Sequence, residues 1–428
     1  MAYLRRNWKC SSICVEWMRV HGVDSLCHAA SALRLVVVGA LFGLIILSSS
    51  GCAFAGTPEK ILNWGSIFIG TGGIPSVMLK SGEILGTREE ILARGEGGGK
   101  RVVLVELNAS RTSWRDRGII VRSDDVNADL GDGMLYEDGA RILYIYRLNK
   151  FKGSYQNDPY YSIRVSISLD QGESWREHSV VEEIRPPVTR KSGLWTPSIL
   201  RTNAGDLQAY YDDGDLPEEV LKIGNAGQWA VMKTWDESRK VWVRRVIVSR
   251  PPINSRGPRA ITADGARTPI EVAPGHIWSP VESNEIDSLG RRFIVLRATE
   301  SFDGGKSWSW ENGKTPLLYE IPPIIRGQQR DWSWPLAARS KNGAVMVVFR
   351  SNQDQGERKP GTSHQVDKYL YYLWREKWTD EWVFGRVPFD EPTTDHGVAP
   401  TPQGGFVVVG RTKKNPREYI FSEISVAR

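Results

Sequence analysis

Cysteine is absent from most of this chain. All four cysteines of the 428 residues precede residue 56. The rest of the chain can therefore form neither a disulfide nor a thiolate site. The six histidines show no metal-ligand spacing such as His-Glu-x-x-His, and we predict no metal and no organic cofactor. Stability must come from packing.

Long apolar runs are also scarce. The one run, LVVVGALFGLIIL over 35–47, is too short for a typical spanning helix and suits a signal-peptide core. The following Gly51-Cys52 resembles a bacterial lipobox, with Ser49 in place of the usual Leu. Ala53–Ala55 offers an ordinary cleavage site, and an uncleaved anchor is the third alternative. We predict an export segment over 1–55, with the mature protein in the bacterial periplasm or at the cell surface. It is either a lipoprotein anchored at Cys52 or freely secreted.

Strong charge of one sign is missing as well. The net charge is +6, and residues 1–55 carry half of it. The remainder is too weak for a nucleic-acid-binding stripe, so no nucleic-acid partner is expected. A hydrophobic fraction of 40% excludes general disorder, and 17 Trp with 42 Gly are typical of an all-β protein with many turns.

Two segments share the pattern Ser-x-Asp-x-Gly-x-x-Trp. They are SLDQGESW over 168–175 and SFDGGKSW over 301–308, and we call this pattern the Asp box. The Asp side chain can accept hydrogen bonds from turn amides, the Gly allows a positive φ, and the Trp packs beside the hairpin. We therefore interpret these boxes as structural turns and not as catalytic groups.

Each Asp box belongs to a longer unit that begins with a hairpin of alternating apolar residues. Six such units occur at intervals of roughly 60–70 residues, which is longer than the compact propeller repeats. The alternation predicts strands. We predict a six-bladed, all-β propeller over 56–428 as a single domain and expect a monomer, since closure into a ring removes exposed sheet edges. The units begin near 72–89, 131–147, 195–211, 266–282, 332–350 and 396–411.

In a propeller the innermost strands line a central channel, and ligands bind at one mouth. The residues that open the hairpins and those that end the second strands should converge there. They combine carboxylates, arginines and aromatic rings, which suits an oligo- or polysaccharide partner. The openings supply Gly73, Asp132, Trp195, Thr196, Arg267, Trp332, Ser333, Trp334, Asp395 and His396; the strand ends supply Arg88, Arg147, Tyr211, Asp212, Glu282, Glu285, Arg350 and Arg411.

Asp boxes in a chain of six such units resemble the sialidase superfamily. Gly73-Ile74-Pro75 is similar to the Arg-Ile-Pro that opens the sialidase domain, but Gly73 replaces the Arg that binds the sialic acid carboxylate. The resemblance therefore implies a sialidase-like fold and weighs against sialidase activity, unless Arg267, Arg339 or Arg350 rebuilds the arginine cluster.

A second branch, the exo-arabinanase propellers of glycoside hydrolase family 93, is similar over roughly 65–410 in order. In that family Gly-Leu-Trp-Glu-Pro carries the nucleophilic Glu. This chain reads Gly193-Leu-Trp-Thr-Pro197, so Thr196 occupies the nucleophile position. The resemblance places the acid/base carboxylate at Glu282, with Glu285 as the alternative register.

Three functions follow as expectations. The first is an exo-acting glycoside hydrolase with Glu282 as general acid and Asp132, Asp212 or Asp331 as its carboxylate partner, or with an unplaced Tyr nucleophile. The second is a uronate lyase using His396 or Tyr211 as base and Arg267 to neutralise the substrate. The third is a sugar-binding propeller without turnover. In the first case Trp195, Thr196, Arg267, Glu285, Trp332, Arg350 and His396 would contact substrate.

Overall fold

The structure is a computed structural model. It describes residues 62–65, 68–71, 74–79, 81–92, 98–108, 110–150, 159–187, 192–217, 227–250, 264–266, 268–286, 292–312, 332–352, 367–415 and 418–426. The predicted export segment, with Cys52, lies outside these residues. Ile61–Arg428 forms one compact unit. Among the described residues there is no helix of the length and hydrophobicity needed to cross a bilayer.

The regular secondary structure of the described residues is almost entirely β-strand, as the alternating sequence predicted. A short 3-10 helix covers Ser309–Asn312. In chain order the strands are β1 (Leu62–Trp64), β2 (Phe68–Thr71), β3 (Ile74–Met78), β4 (Ile84–Ile91), β5 (Lys100–Leu107), β6 (Trp114–Ser123), β7 (Ala128–Asp138), β8 (Arg141–Lys150), β9 (Tyr160–Ser168), β10 (Arg176–Ile184), β11 (Leu194–Arg201), β12 (Leu207–Asp213), β13 (Trp229–Asp236), β14 (Val241–Ser249), β15 (Asp264–Ala266), β16 (Ile270–Ala273), β17 (His276–Ile286), β18 (Arg292–Ser301), β19 (Trp332–Arg339), β20 (Val345–Ser351), β21 (Tyr369–Arg375), β22 (Val383–Arg386), β23 (Thr393–Pro400), β24 (Phe406–Thr412) and β25 (Glu418–Val426).

These strands pair into six antiparallel sheets within the described residues. Sheets 1, 2 and 3 are β3–β6, β7–β10 and β11–β14, and sheet 5 is β19–β22. In sheet 4, β15 and β16 both pair with β17, which also pairs with β18. Sheet 6 is β23–β25 completed by β1 and β2, so the first described strands pair with the last strand of the chain. This pairing closes the fold, because both ends of the described chain share one sheet.

Neighbouring sheets contact each other in a cycle. β3 contacts β7, β7 contacts β11, β12 contacts β15, β17 contacts β19, β19 contacts β23, and β23 contacts β3. Each of the six junctions holds its own cluster of buried apolar side chains. Burial on both faces explains why an inner strand such as β12 is buried at every position, whereas the outer β10 is largely exposed. The apolar residues thus form separate cores, one at each of the six junctions between the described sheets.

The two Asp-box turns make the same hydrogen bonds. In the first, Asp170 Oδ1 accepts from the backbone amide of Ser174 at 2.9 Å, and the Gly172 amide donates to Ser168 Oγ at 2.7 Å. In the second, Asp303 Oδ1 accepts from the Ser307 amide at 2.9 Å. The bonds from Ser174 lower the pKa of Asp170 to about 2. Both carboxylates are therefore fully occupied in holding a turn.

Candidate active site

The first strand of each sheet is interrupted at a similar level. β-Bulges occur at Pro75–Val77, Gly131–Met134, Trp195–Ser198, Ser333–Leu336 and Thr393–Asp395, and in sheet 4 the break falls between β15 and β16. Three residues at these breaks adopt a positive φ, namely Asp132 (49°), Thr196 (44°) and Trp334 (58°). Such a backbone is strained for residues other than glycine, and bulges re-aim side chains. The repeated breaks turn polar groups toward one end of the sheets.

A series of side-chain contacts between the sheets begins on sheet 1 at Glu89. Its Oε1 accepts a hydrogen bond from the backbone amide of Asp132, on sheet 2, at 2.7 Å. Gly131 leaves room for this approach, since a Cβ there would lie 2.0 Å from Glu89 Oε1. Asp132 Oδ2 in turn pairs with Arg147 at 2.7 Å. The Arg147 guanidinium lies 4.9 Å from the ring centroid of Trp195, on sheet 3. These contacts link sheet 1 to sheet 2 and sheet 2 to sheet 3.

Asp212 is the central carboxylate of sheet 3. It is fully buried, and its Oδ2 accepts hydrogen bonds from the Thr196 hydroxyl and, at 3.2 Å, from Gln228 Nε2. The same oxygen lies against sheet 4, because a Cβ on Gly265 would be only 2.9 Å from it. Gly265 is the direct antiparallel partner of Glu282. Directly opposed residues point to one face with Cβ atoms about 4.5–5.5 Å apart, so Asp212 Oδ2 lies within about 8.5 Å of Glu282 Cβ.

Glu282 is held from sheet 5. Its Oε2 accepts a hydrogen bond from the backbone amide of Trp334 at 2.5 Å, and the positive φ of Trp334 accompanies this orientation. The Trp334 ring is covered by the Arg350 guanidinium at 3.9 Å from the ring centroid. Arg350 also donates to the backbone carbonyl of Thr394, on sheet 6. Glu282 remains partly exposed, whereas Asp212 does not.

Sheet 6 completes the cycle. Asp395 pairs with Arg411 at 2.5 Å, and Arg411 Nε donates to Thr394 Oγ1 at 3.1 Å. Asp395 lies close enough to Glu89 for its charge to raise the pKa of that carboxyl. Although Glu89 is open to solvent, the protein packed around its carboxyl disfavours the charged form. This desolvation is the main cause that raises the pKa of Glu89 above the ordinary value. The result is a polar mouth of carboxylates, arginines and indoles contributed by every sheet.

Most of the predicted residues with described side chains meet at this mouth. Asp132, Asp212, Glu282, Trp195, Thr196 and Arg350 all take part in the cycle of contacts. Thr196 is only 8% exposed, and its hydroxyl is bonded to Asp212. Arg267, Asp331 and Gly73 lie outside the described residues. The backbones of Glu285 and Trp332 lie in β17 and β19, and their side chains are outside the described part.

Two predicted residues do not fit a role in substrate contact. His396 is 5% exposed, and its Nε2 lies 3.2 Å from the carbonyl oxygen of Val348, so the imidazole packs between sheets 5 and 6. Tyr211 is fully buried, and its hydroxyl donates to Glu182 at 2.9 Å across the junction of sheets 2 and 3. Burial raises the pKa of Tyr211 well above its ordinary value. Neither group is placed to act as a base on a sugar at the mouth.

Glu89 is the main residue that sequence reasoning missed. Arg88 was expected to face the channel, but it pairs with Asp116 at 2.7 Å and with Glu90 at 2.6 Å. Successive side chains of a strand point to opposite faces, so a shift of one residue exchanges Arg88 for Glu89. Gln228 was also missed, because no motif marks the start of β13, the strand that follows it. The Gly-Asp-Gly at 131–133 was the one available signal for Glu89, since a neighbouring side chain must fill the space that Gly131 leaves.

No group of three or more His, Cys, Asp or Glu within the described ranges could hold a metal ion. The site therefore consists of proton donors, acceptors and aromatic faces. Such groups can bind sugar hydroxyls and transfer protons.

No protein-family model matches the chain, and no curated protein matches its sequence. Its fold is similar to that of solved propeller glycosidases. An α-L-arabinanase from Penicillium chrysogenum, complexed with arabinobiose, aligns with a TM-score of 0.55 at 14% identity over 84% of this chain and 93% of that chain. The α-L-arabinofuranosidase of Fusarium graminearum, of glycoside hydrolase family 93, aligns with a TM-score of 0.52 at 13% identity over 86% of this chain and 97% of its own. At this identity the likeness shows the fold alone, which is the arabinanase-like propeller.

Proposed function

We propose that this protein is a glycoside hydrolase that acts on a glycan at the mouth of a six-bladed propeller, with Glu282 as its general acid. The observation that carries the proposal is the arrangement around Gly265. Asp212 Oδ2 lies against Gly265, and Gly265 pairs directly with Glu282, so no side chain at position 265 separates Asp212 from the strand that carries Glu282. A pair of carboxyl groups flanking the bond is what glycosidic hydrolysis requires.

The proposed roles follow from the surroundings of each carboxyl. Glu282 is partly exposed, and the Trp334 amide binds its Oε2, which leaves Oε1 free to give a proton to the glycosidic oxygen. As that bond breaks, a water molecule adds to the anomeric carbon and loses its proton to a carboxylate. We assign this role to Asp212, which lies against the direct strand partner of Glu282, with Asp132 as the second candidate. This scheme is the inverting one, since Thr196 occupies the position of the family's nucleophile.

The substrate proposed first is an α-L-arabinofuranosyl oligosaccharide. The support is the similarity to an arabinanase and an arabinofuranosidase, both solved with arabinobiose. Trp195 and Trp334 offer indole faces to such a sugar, and Arg147 and Arg350 orient the two indoles. We further propose export through residues 1–55, with lipidation at Cys52. The mass of the mature protein from a native-like host would test this, because lipidation adds acyl chains to a new N-terminal Cys52.

A sugar-binding propeller without turnover is the second candidate. Two observations favour it: Thr196 stands at the nucleophile position, and Asp212 is fully buried under it. A lyase has less support, since His396 and Tyr211 are both buried away from the mouth.

The test is incubation of the purified full chain with arabinobiose, debranched arabinan, sialosides and uronate polysaccharides. New reducing ends without an unsaturated product support hydrolysis, and anomeric NMR of the first product distinguishes inversion from retention. Glu282→Gln should lower turnover at least about 100-fold while leaving the circular dichroism unchanged. Glu237→Gln, at a 70% exposed carboxylate in the turn after β13, is the matched control and is expected to stay within a few-fold of wild type. Full activity in Glu282→Gln, or an unsaturated product, would reject the assignment.

A further inference from the structure

Glu89 is a carboxylate of the mouth to which the proposed hydrolysis assigns no role. It lies in β4 between Arg88 and Glu90, which point to the other face of the strand and pair with each other at 2.6 Å. The Glu89 side chain reaches toward sheet 2 instead, where its Oε1 accepts a hydrogen bond from the Asp132 amide at 2.7 Å. Glu89 is open to solvent, so a ligand in the mouth can contact its carboxyl.

The carboxylates of the neighbouring sheets each have an arginine partner, whereas Glu89 does not. Asp132, on sheet 2, pairs with Arg147 at 2.7 Å. Asp395, on sheet 6, pairs with Arg411 at 2.5 Å. Within the described ranges no lysine or arginine forms an ion pair with Glu89. The Asp132 amide occupies Oε1, which leaves Glu89 Oε2 without a hydrogen bond from the described residues.

A carboxylate without a counter-charge is costly where protein surrounds it. The protein packed around Glu89 is the main cause that raises its pKa, and the Asp132 amide offsets part of this effect. The charges of Asp132 and Asp395 raise the pKa further. A hydroxyl group that donates to Oε2 would stabilise the ionised form. A ligand carboxylate would be repelled, because Arg147 and Arg411 are already paired.

Glu89 and Glu282 lie on sheets that are opposite in the cycle of contacts. Three junctions separate sheet 1 from sheet 4 in either direction. A sugar with its glycosidic oxygen at Glu282 therefore presents the far side of its ring to sheet 1. The ring hydroxyls on that side are donors of the kind that Glu89 Oε2 can accept. Hydrogen bonds to such a hydroxyl can strengthen as the glycosidic bond breaks.

We propose that Glu89 is a specificity-determining residue of the mouth, whose Oε2 accepts a hydrogen bond from a ring hydroxyl of the bound sugar. This inference rests on the proposed function and deepens it, because it names the class of substrate as a neutral sugar with a free ring hydroxyl. The bond from Asp132 to Oε1 holds the carboxyl in place for this contact. Sugars that carry a carboxylate are selected against by the charge of Glu89.

The test pairs a protein variant with altered sugars. Binding of methyl α-L-arabinofuranoside and of its 2-, 3- and 5-deoxy analogues to the full chain is followed by tryptophan fluorescence at about pH 8. One of the three deoxy sugars should bind wild type about 10- to 100-fold more weakly, as expected for a lost hydrogen bond to a charged group. Glu89→Gln should weaken the parent sugar by a similar factor. The same deoxygenation should then have little further effect, because the bond is already lost.

Glu90→Gln is the matched control, since it removes the neighbouring charge on the other face of β4. It should bind all four sugars as wild type does. Glu89→Gln keeps a carbonyl oxygen for the Asp132 amide, and circular dichroism should show the wild-type fold. The 5-carboxylate analogue of the sugar should bind wild type more weakly than the 5-deoxy sugar, and Glu89→Gln should remove most of that difference.

The results separate this role from the proposed hydrolysis. Coupled losses support the role of Glu89 even if arabinobiose is not cleaved, in which case the hydrolysis is rejected. Equal losses on deoxygenation in wild type and Glu89→Gln, at all three positions, overturn the role even if arabinobiose is cleaved. Equal losses of the parent sugar in Glu89→Gln and Glu90→Gln also overturn it, as does the failure of wild type to bind any of the sugars.

Discussion

The Thr196 hydroxyl donates a hydrogen bond to the fully buried carboxylate of Asp212. The two residues belong to adjacent strands of sheet 3, and the β-bulge at Trp195–Ser198, with its positive φ at Thr196, accompanies this contact. Thr196, where the resemblance to the exo-arabinanases implies a nucleophilic Glu, thus helps to satisfy the buried carboxylate of Asp212.

Removing the Thr196 hydroxyl should lower both the unfolding free energy and the turnover of the protein. Thr196→Val keeps the branched shape but leaves a buried acceptor with one partner fewer, which costs about 1–3 kcal/mol of unfolding free energy. Turnover should fall about tenfold or more as Asp212 loses its orientation. Thr196→Ser keeps the donor and should stay close to wild type in both properties. Urea denaturation and product assays measure them, and a fully active Thr196→Val would show that the hydroxyl plays no part in the reaction.

Gly265 should be required for the spacing of the two carboxylates. Gly265→Ala places a methyl group 2.9 Å from Asp212 Oδ2 and 3.4 Å from Gln228 Nε2, so Asp212 must move. A displacement of about 1 Å can cost up to about 100-fold in rate, and we expect kcat/KM to fall by about 10- to 100-fold. The control is Gly118→Ala in β6, where a Cβ has its nearest neighbour at 3.7 Å. Equal activity of the two variants would argue against the proposed arrangement.

Glu89 and its neighbour Glu90 should respond to pH in opposite ways. Although Glu89 is open to solvent, the protein packed around its carboxyl raises its pKa above the ordinary 4.5, aided by the charges of Asp132 and Asp395. A carboxyl whose pKa is raised in the folded state binds its proton more tightly there than in the unfolded state. The protein therefore loses stability as the pH rises above the unfolded-state pKa of that group. Glu89→Gln removes this loss. Its melting temperature relative to wild type should therefore increase from about pH 4 to about pH 8.

The matched variant is Glu90→Gln. Although burial opposes it, the hydrogen bonds from Arg101 and Arg88 lower the pKa of Glu90. The stabilisation that Glu90 provides is present above pH 4.5 and is lost as the pH falls through its lower folded-state pKa. Glu90→Gln should thus fall below wild type at neutral pH and approach it in acid. Parallel curves for the two variants in a thermal-shift assay would contradict these assignments.

The closure of the fold should depend on β1. Leu62 is 7% exposed and packs into the apolar cluster between sheets 5 and 6, beside Ile424. Leu62→Ala should lower the unfolding free energy by about 2–5 kcal/mol, since it leaves a cavity at the junction. Ile91, which is 83% exposed, is the control. Ile91→Ala should change the unfolding free energy by less than about 0.5 kcal/mol. Similar urea midpoints for the two variants would mean that β1 does not secure the ring.

Much of the architecture follows from local sequence. Alternation such as Ile142, Tyr144 and Tyr146 in β8 requires a strand with one face in a core, and these three side chains are buried together between sheets 1 and 2. The starts of the six repeat units fall within a few residues of β3, β7, β11, β15, β19 and β23. The Asp-box turns are local as well, because every hydrogen bond described in them joins residues at most four apart.

The candidate site depended on more than local sequence. The sequence indicated Asp132, Asp212 and Glu282 as neighbours, because the repeat register places them at corresponding strand ends. It could not show that Glu89 and not Arg88 faces the mouth, since the choice depends on a register that neighbouring strands set. His396 was misjudged for a similar reason, because its burial depends on sheet 5 packing against it.

The sequence by itself determined the strands, their turns and the supply of acids and indoles, because these depend on residues close together in the chain. Only the tertiary structure decided that β1 and β2 complete the last sheet, that the Trp334 amide binds Glu282, and that Asp212 reaches Gly265. Each of these contacts joins residues at least 50 positions apart or on different sheets. The physical reason is that such contacts form only when the ring closes, and the packing between sheets then fixes which side chains meet.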